Sequence, residues 1–194
     1  MSLFRSILKY VWPQIKNHKI AFYAIFILFG TRIVLEGIIR PIYFKKIIDT
    51  LAVPVASREV LAVALIKLVI ITIALNFVVT VVARSFKFVM YGFEINVIRN
   101  LRNFSFKKIS NQSQTFFSNT FSGSLVTKSR RCIGSFEQMF DILVYNFYSF
   151  LILSGGILYV VARESKMIAW LFFAFIIVYV SIVFFFLKRK IKYD

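Results

Sequence analysis

The sequence predicts an all-α membrane protein with four transmembrane helices, the second and third extended into a long cytoplasmic helical hairpin. Three observations predict it. The 194 residues are 59% hydrophobic and 17% charged, where soluble domains average about 45–50% and about 25%. Four stretches match the roughly 20 apolar residues that a helix needs to cross a hydrocarbon core about 30 Å thick. The basic residues, 25 against 8 acidic ones, gather in the segments that four spans place on one side. A nucleic-acid-binding domain accounts for the net charge of +17 but not for 24 Phe, and no nucleic-acid partner is expected. One cysteine, Cys132, excludes a disulfide scaffold, and one histidine, His18, excludes a His-rich metal site.

Residues 1–19 mix apolar and basic side chains, with Phe4, Ile7, Leu8 and Val11 at helical spacing. They read as an amphipathic elbow on the membrane surface, bent by Pro13 toward the first span; a frayed basic terminus is the plain alternative. No short apolar core with a small-residue cleavage site follows, so this is not a signal peptide. Residues 20–41 form span 1, which carries Arg32 and Glu36. Residues 60–83 form span 2, whose one charge, Lys67, can reach the interface along its stem. Residues 142–162 and 167–187 form spans 3 and 4 and are uncharged.

Four of the Lys and Arg lie in 1–19, nine in 84–141 and four in 188–194, while the two opposite loops hold three. The positive-inside rule puts both termini and the 84–141 segment in the cytoplasm of a cell-membrane protein. Within 84–141, Met90, Val97 and Phe104 recur every seven residues with Phe93 and Leu101 between them. This pattern predicts that the second helix continues to about Ile109. It breaks at 110–124, a Ser-, Asn- and Gln-rich tip holding Phe116, Phe117 and Phe121. Leu125, Ile133, Phe136 and Phe140 then resume an apolar stripe leading into span 3. Aromatics on such a tip suit docking to a partner as well as packing of the tip itself.

Arg32, Glu36 and Arg40 stand i, i+4, i+8 on span 1. Ionisable groups inside a membrane mark functional sites, and Glu36 as a proton-coupling carboxylate fits a small proton-coupled multidrug antiporter. The same spacing also lets both arginines neutralise Glu36 on one cavity-facing side. Gly155 and Gly156 suit close helix packing. Tyr145, Phe147, Tyr148 and Tyr159 suit packing, lipid contact or a cavity for an apolar ligand. No catalytic constellation or metal site is legible.

The stretch from Ile95 to Arg131 resembles the exporter-type membrane domain of ABC transporters. Leu101-Arg102 on the extended second helix leads to Phe116-Phe117 and then to Gly123-Ser124-Leu125. Pro41 and Ile47-Ile48-Asp49 are similar to the outer end of that family's first span. The resemblance implies that the tip is a coupling helix seated on a nucleotide-binding domain through Thr115, Phe116, Phe117, Asn119, Phe121, Gly123 and Leu125. It also implies a second transmembrane domain, as a homo- or heterodimer. Two features depart from the family pattern. Cys132 stands where an acidic residue is common, and four spans are present where the family has six, which implies an incomplete unit. No G-x-x-x-x-G-K-[ST] loop exists to cradle phosphates. ATP and Mg are therefore implied only through a nucleotide-binding domain outside this sequence, and the chain alone is not an enzyme. A membrane anchor recruiting a cytoplasmic partner is the non-transport alternative.

Overall fold

The structure is a computed structural model that describes residues 13, 15–52, 58–112 and 122–191. All regular structure among them is helical and forms four rods. The elbow pattern at Phe4–Val11 lies outside the described residues.

The first rod comprises α1 (Lys19–Val34), a π-helical turn (Leu35–Ile39) and α2 (Arg40–Ala52). The wide turn has a local cause. In a regular α turn the Pro41 ring crowds the Gly37 carbonyl four residues back. Here the Arg40 N–H bonds the Leu35 carbonyl five residues back, and the helix continues through the proline. It runs past the 20–41 stretch to Ala52.

The second rod is α3 (Arg58–Ser110), one unbroken helix of 53 residues, roughly 80 Å long at about 1.5 Å per residue. It reaches one residue beyond the Ile109 expected from the apolar repeat. Its polar side chains are satisfied locally: Thr72, Asn76 and Thr80 each donate to the carbonyl four residues back, at 2.9 Å. That removes the penalty of unbonded polar groups in apolar surroundings.

The third rod comprises α4 (Ser122–Asp141), a π-helical turn (Ile142–Tyr148) and α5 (Ser149–Glu164). Ser165, in extended backbone conformation, separates it from the fourth, α6 (Lys166–Ile191). The Lys19–Ala52, Glu59–Ser110, Gly123–Glu164 and Lys166–Phe186 helices are each long and apolar enough to cross a membrane.

An aromatic cluster sets the register. Phe29 stacks on Phe86 at 4.7 Å and Phe22 meets Phe93 at 6.0 Å, so rods one and two are antiparallel. Phe93 meets Phe140 at 5.1 Å and Phe86 meets Tyr145 at 5.8 Å, so rods two and three are antiparallel as well. One core runs through all three, from Ile25, Phe29 and Ile33 to Phe86, Met90, Phe93, Val97 and Leu101, and on to Ile133, Phe136, Phe140 and Val144. The predicted heptad stripe is buried at four of its five positions. Phe104 is 38% exposed and has the Lys108 ammonium above its ring at 5.8 Å.

The register also reveals a stagger. Residues 84–93, which lie past the second apolar stretch, stand beside residues 22–29 of the first. Arg84 and Lys87, both exposed, therefore flank the first apolar stretch instead of clearing it.

Candidate functional site

α3 runs to Ser110 and α4 from Ser122. Thr115, Phe116, Phe117, Asn119 and Phe121 lie outside the described residues. Gly123 is exposed. Leu125 is half-buried and lines a hollow with Phe104, Ile109 and Gln112, against the last turns of α3.

The charged stripe on the first rod differs from expectation. Arg32 Nε lies 3.1 Å from Glu36 Oε2, and the guanidinium of Arg32 sits 5.9 Å from the Phe29 ring. Arg40 forms no ion pair with Glu36 among the described residues; its guanidinium lies over Phe44 at 5.6 Å. Glu36 is therefore neutralised by one arginine, not two. The π turn explains this, because it holds Glu36 and all three residues between Glu36 and Arg40, and its wider winding breaks the α-helical i, i+4 alignment.

The glycines divide in the same way. A side chain at Gly156 would run into Ile38, and one at Gly37 would meet Leu153 Cδ1 at 2.5 Å, while Gly155 has nothing within 4 Å. Gly156 and Gly37 let rods one and three approach closely. At Gly30 the neighbour is the Tyr148 hydroxyl, 2.6 Å from where a Cβ would stand. That hydroxyl donates to the Phe26 carbonyl at 2.9 Å, pinning the third rod to the first. Of the other aromatics, Tyr145 packs on Phe29 and Phe86, while Phe147 and Tyr159 are exposed. Cys132 is exposed. His18 Nε2 lies 3.5 Å from Asn100 Nδ2, at the foot of the first rod.

Two polar features had no signal in the sequence. Lys45 Nζ lies 2.7 Å from Glu164 Oε1, joining the ends of rods one and three. That bond holds the Lys45 ammonium above its usual range and the Glu164 carboxyl below its own. The residues are 119 positions apart, so only the parallel packing of the rods brings them together. Below the aromatic cluster, and past the second apolar stretch, Glu94 is half-buried beside Asp141 and Glu137. Desolvation first, then the charge and hydrogen bond of Asp141, push its carboxyl up to about 7. The meeting of Glu137 and Asp141 with Glu94 depends on the register of α3 against α4.

Among the described residues no group of His, Cys, Asp and Glu is arranged to hold a metal ion. Comparison with protein-family models, curated protein sequences and solved structures gives no match. The two long antiparallel helices α3 and α4 share one continuous core with α1.

Proposed function

We propose that this chain is the membrane-spanning part of an ATP-driven exporter of the ABC type. On this reading it contributes part of the translocation route and a coupling helix that docks on a nucleotide-binding domain. The observation that carries the reading is the unbroken 53-residue α3 paired with α4. Transmission of force from a soluble motor needs a lever that does not bend at the membrane surface. A helix kinks at prolines, at Gly/Ser pairs or at irregular turns, and α3 contains no proline and no π turn.

The core supports the same reading, because Phe86, Met90 and Phe93 lie in the bundle while Val97 and Leu101 lie in the hairpin, on one stripe. A shift at the tip is passed along that stripe to α1 and α5. Both termini and the hairpin are cytoplasmic, the lipid is that of the cell membrane, and a second transmembrane domain completes the cavity. The nucleotide-binding domain brings ATP and Mg, in the same full-length protein or as a separate subunit. The close Arg32–Glu36 pair disfavours Glu36 as the carrier of a proton-driven antiporter.

The test uses the full-length protein with its nucleotide-binding domain in proteoliposomes, assayed with a fluorescent lipid and a fluorescent dye as probes. F116A/F117A is expected to retain ATP hydrolysis and lose ATP-dependent movement of the probe, with the membrane helices still folded. Unchanged movement in the double variant, or movement driven by a proton gradient without any ATPase, refutes the reading.

A further inference from the structure

The hairpin formed by α3 and α4 carries a second surface, separate from its tip. Between Ile95 and Phe136 the sequence has seven Lys and Arg and no Asp or Glu. All seven are exposed. Arg99, Arg102, Lys107, Lys128, Arg130 and Arg131 form no ion pair among the described residues. An open groove of about 540 Å³ runs along the seam of the two helices within this segment. Arg102 and Arg130 line it, Phe106, Val126 and Ile133 give it an apolar floor, and Glu137 closes the end nearest the bundle. Phe106 is 73% and Val126 60% exposed. On a lipid-facing span such exposure is ordinary, but on a segment that projects into water a joined apolar patch with a charged rim marks a binding surface.

We infer that this groove binds an acidic amphipathic helix of a cytoplasmic protein partner. The floor takes the apolar stripe of that helix, and Arg102 and Arg130 take its carboxylates. The groove's own polarity sets the orientation: acidic residues lie toward the tip, and a cation lies toward Glu137.

Two other anionic partners fit less well. Asp141 immediately precedes the third apolar stretch, and Arg130 stands three turns further out, roughly 16 Å at about 1.5 Å per residue. Screening at physiological salt acts over about 8 Å, so lipid headgroups attract this site weakly. Single-stranded nucleic acid binds through repeated aromatic platforms along a basic track. Here a single aromatic, Phe106, lies among aliphatic residues, and Glu137 repels phosphate at one end.

The test places the full chain in nanodiscs of zwitterionic lipid and measures fluorescence anisotropy with a labelled 18-residue helical peptide of Glu and Leu in amphipathic spacing. Controls are the same composition with the stripe scrambled and a single-stranded RNA of equal charge. The striped peptide is expected to bind at least tenfold more tightly than either control. R102E/R130E is expected to weaken it at least tenfold, while K16E/K19E, the same charge change elsewhere, alters it less than twofold. F106S, a change at an exposed position, is expected to abolish the preference for the striped peptide without changing amide exchange in the hairpin. Equal binding of the scrambled peptide, tighter binding of RNA, or equal effects of the two charge reversals overturns the inference. No nucleotide or transport enters this assay, so its failure leaves the proposed transport function standing.

Discussion

The two ends of α3 belong to one helix but obey different rules. From Val60 to Ala83 nearly every residue is apolar, and little of that surface is buried; Val63, Ile70, Ile73 and Phe77 are all more than half exposed. From Phe86 to Leu101 the apolar residues are fewer, and those on one stripe are almost fully buried. A helix that is hydrophobic all round belongs in lipid, while one with a single apolar stripe belongs at a boundary between core and water. In lipid, burial against a neighbouring helix removes little apolar surface from water, so close approach and polar pairing hold helices together. Where the stripe runs on past the first apolar stretch, at Val97 and Leu101, each large side chain that is withdrawn from water contributes about 1.5–3 kcal/mol. The same exposed valine or phenylalanine is therefore ordinary at the all-round apolar end of this helix and informative at the other.

The sharpest way to break this contrast is at Phe93, which is 1% exposed, against Phe88, which is 83% exposed on the same helix. Phe93 touches the rings of Phe22 and Phe140, so it joins all three rods. F93A is expected to cost about 3–5 kcal/mol through lost burial and the cavity left behind. F88A is expected to stay within about 0.5 kcal/mol. Amide exchange of residues 90–101 and 133–140 in nanodiscs reads both. Equal loss of protection in the two variants breaks the distinction between the stripe and the outer face.

The sequence made the helices legible because their signals are local. Apolar runs of the required length marked the four spans, and the recurrence of Met90, Phe93, Val97 and Leu101 marked the buried stripe before any partner was known. The interactions between rods were not legible. The stagger of 84–93 against 22–29 depends on which aromatic meets which, and several registers satisfy the same pattern. The π turns also escaped: Pro41 hints at the first, but nothing in Ile142–Tyr148 distinguishes it from ordinary α-helix. The first of these turns, Leu35–Ile39, is why the i, i+4 argument from Glu36 to Arg40 failed, while Arg32 to Glu36, with only the turn's first two residues involved, held at 3.1 Å. At the tip the residues named from family resemblance lie outside the described residues, save Gly123 and Leu125.

A smaller effect sharpens the contrast at the root of the hairpin, where Glu94 faces Asp141 and Glu137. Its folded-state value of about 7 lies above its ordinary 4.5. Between these values the folded protein holds more protons than the unfolded chain, so stability falls as pH rises. The contribution is complete below pH 4.5 and is lost as pH passes through about 7. Glu94 is only half-buried, so solvent screening keeps the change below about 1 kcal/mol. Amide exchange around residue 94 is expected to be faster at pH 8 than at pH 5.5, after correction for intrinsic exchange rates. E94Q, uncharged throughout, is expected to remove that difference. A pH dependence that persists unchanged in E94Q refutes the assignment to Glu94.

The smallest effect is expected at Lys45 and Glu164, though their ion pair, at 2.7 Å, is shorter than that of Arg32 and Glu36. Both side chains are more than half exposed, and both charges exchange a hydration shell for one contact on flexible stems, which leaves little net gain. Close approach through Gly37 and Gly156 already holds these ends of rods one and three. A double-mutant cycle of K45A and E164A, read by thermal unfolding in nanodiscs, is expected to give a coupling near the limit of detection and smaller still at high salt. The bond lowers the Glu164 pKa and raises that of Lys45. Whatever stability it adds is therefore present at neutral pH. It fades as Glu164 protonates in acid and again as Lys45 deprotonates in strong base. A large coupling that resists salt requires that these ends be shielded from water, and the outer half of the bundle then has a polar clasp in addition to its glycine contacts.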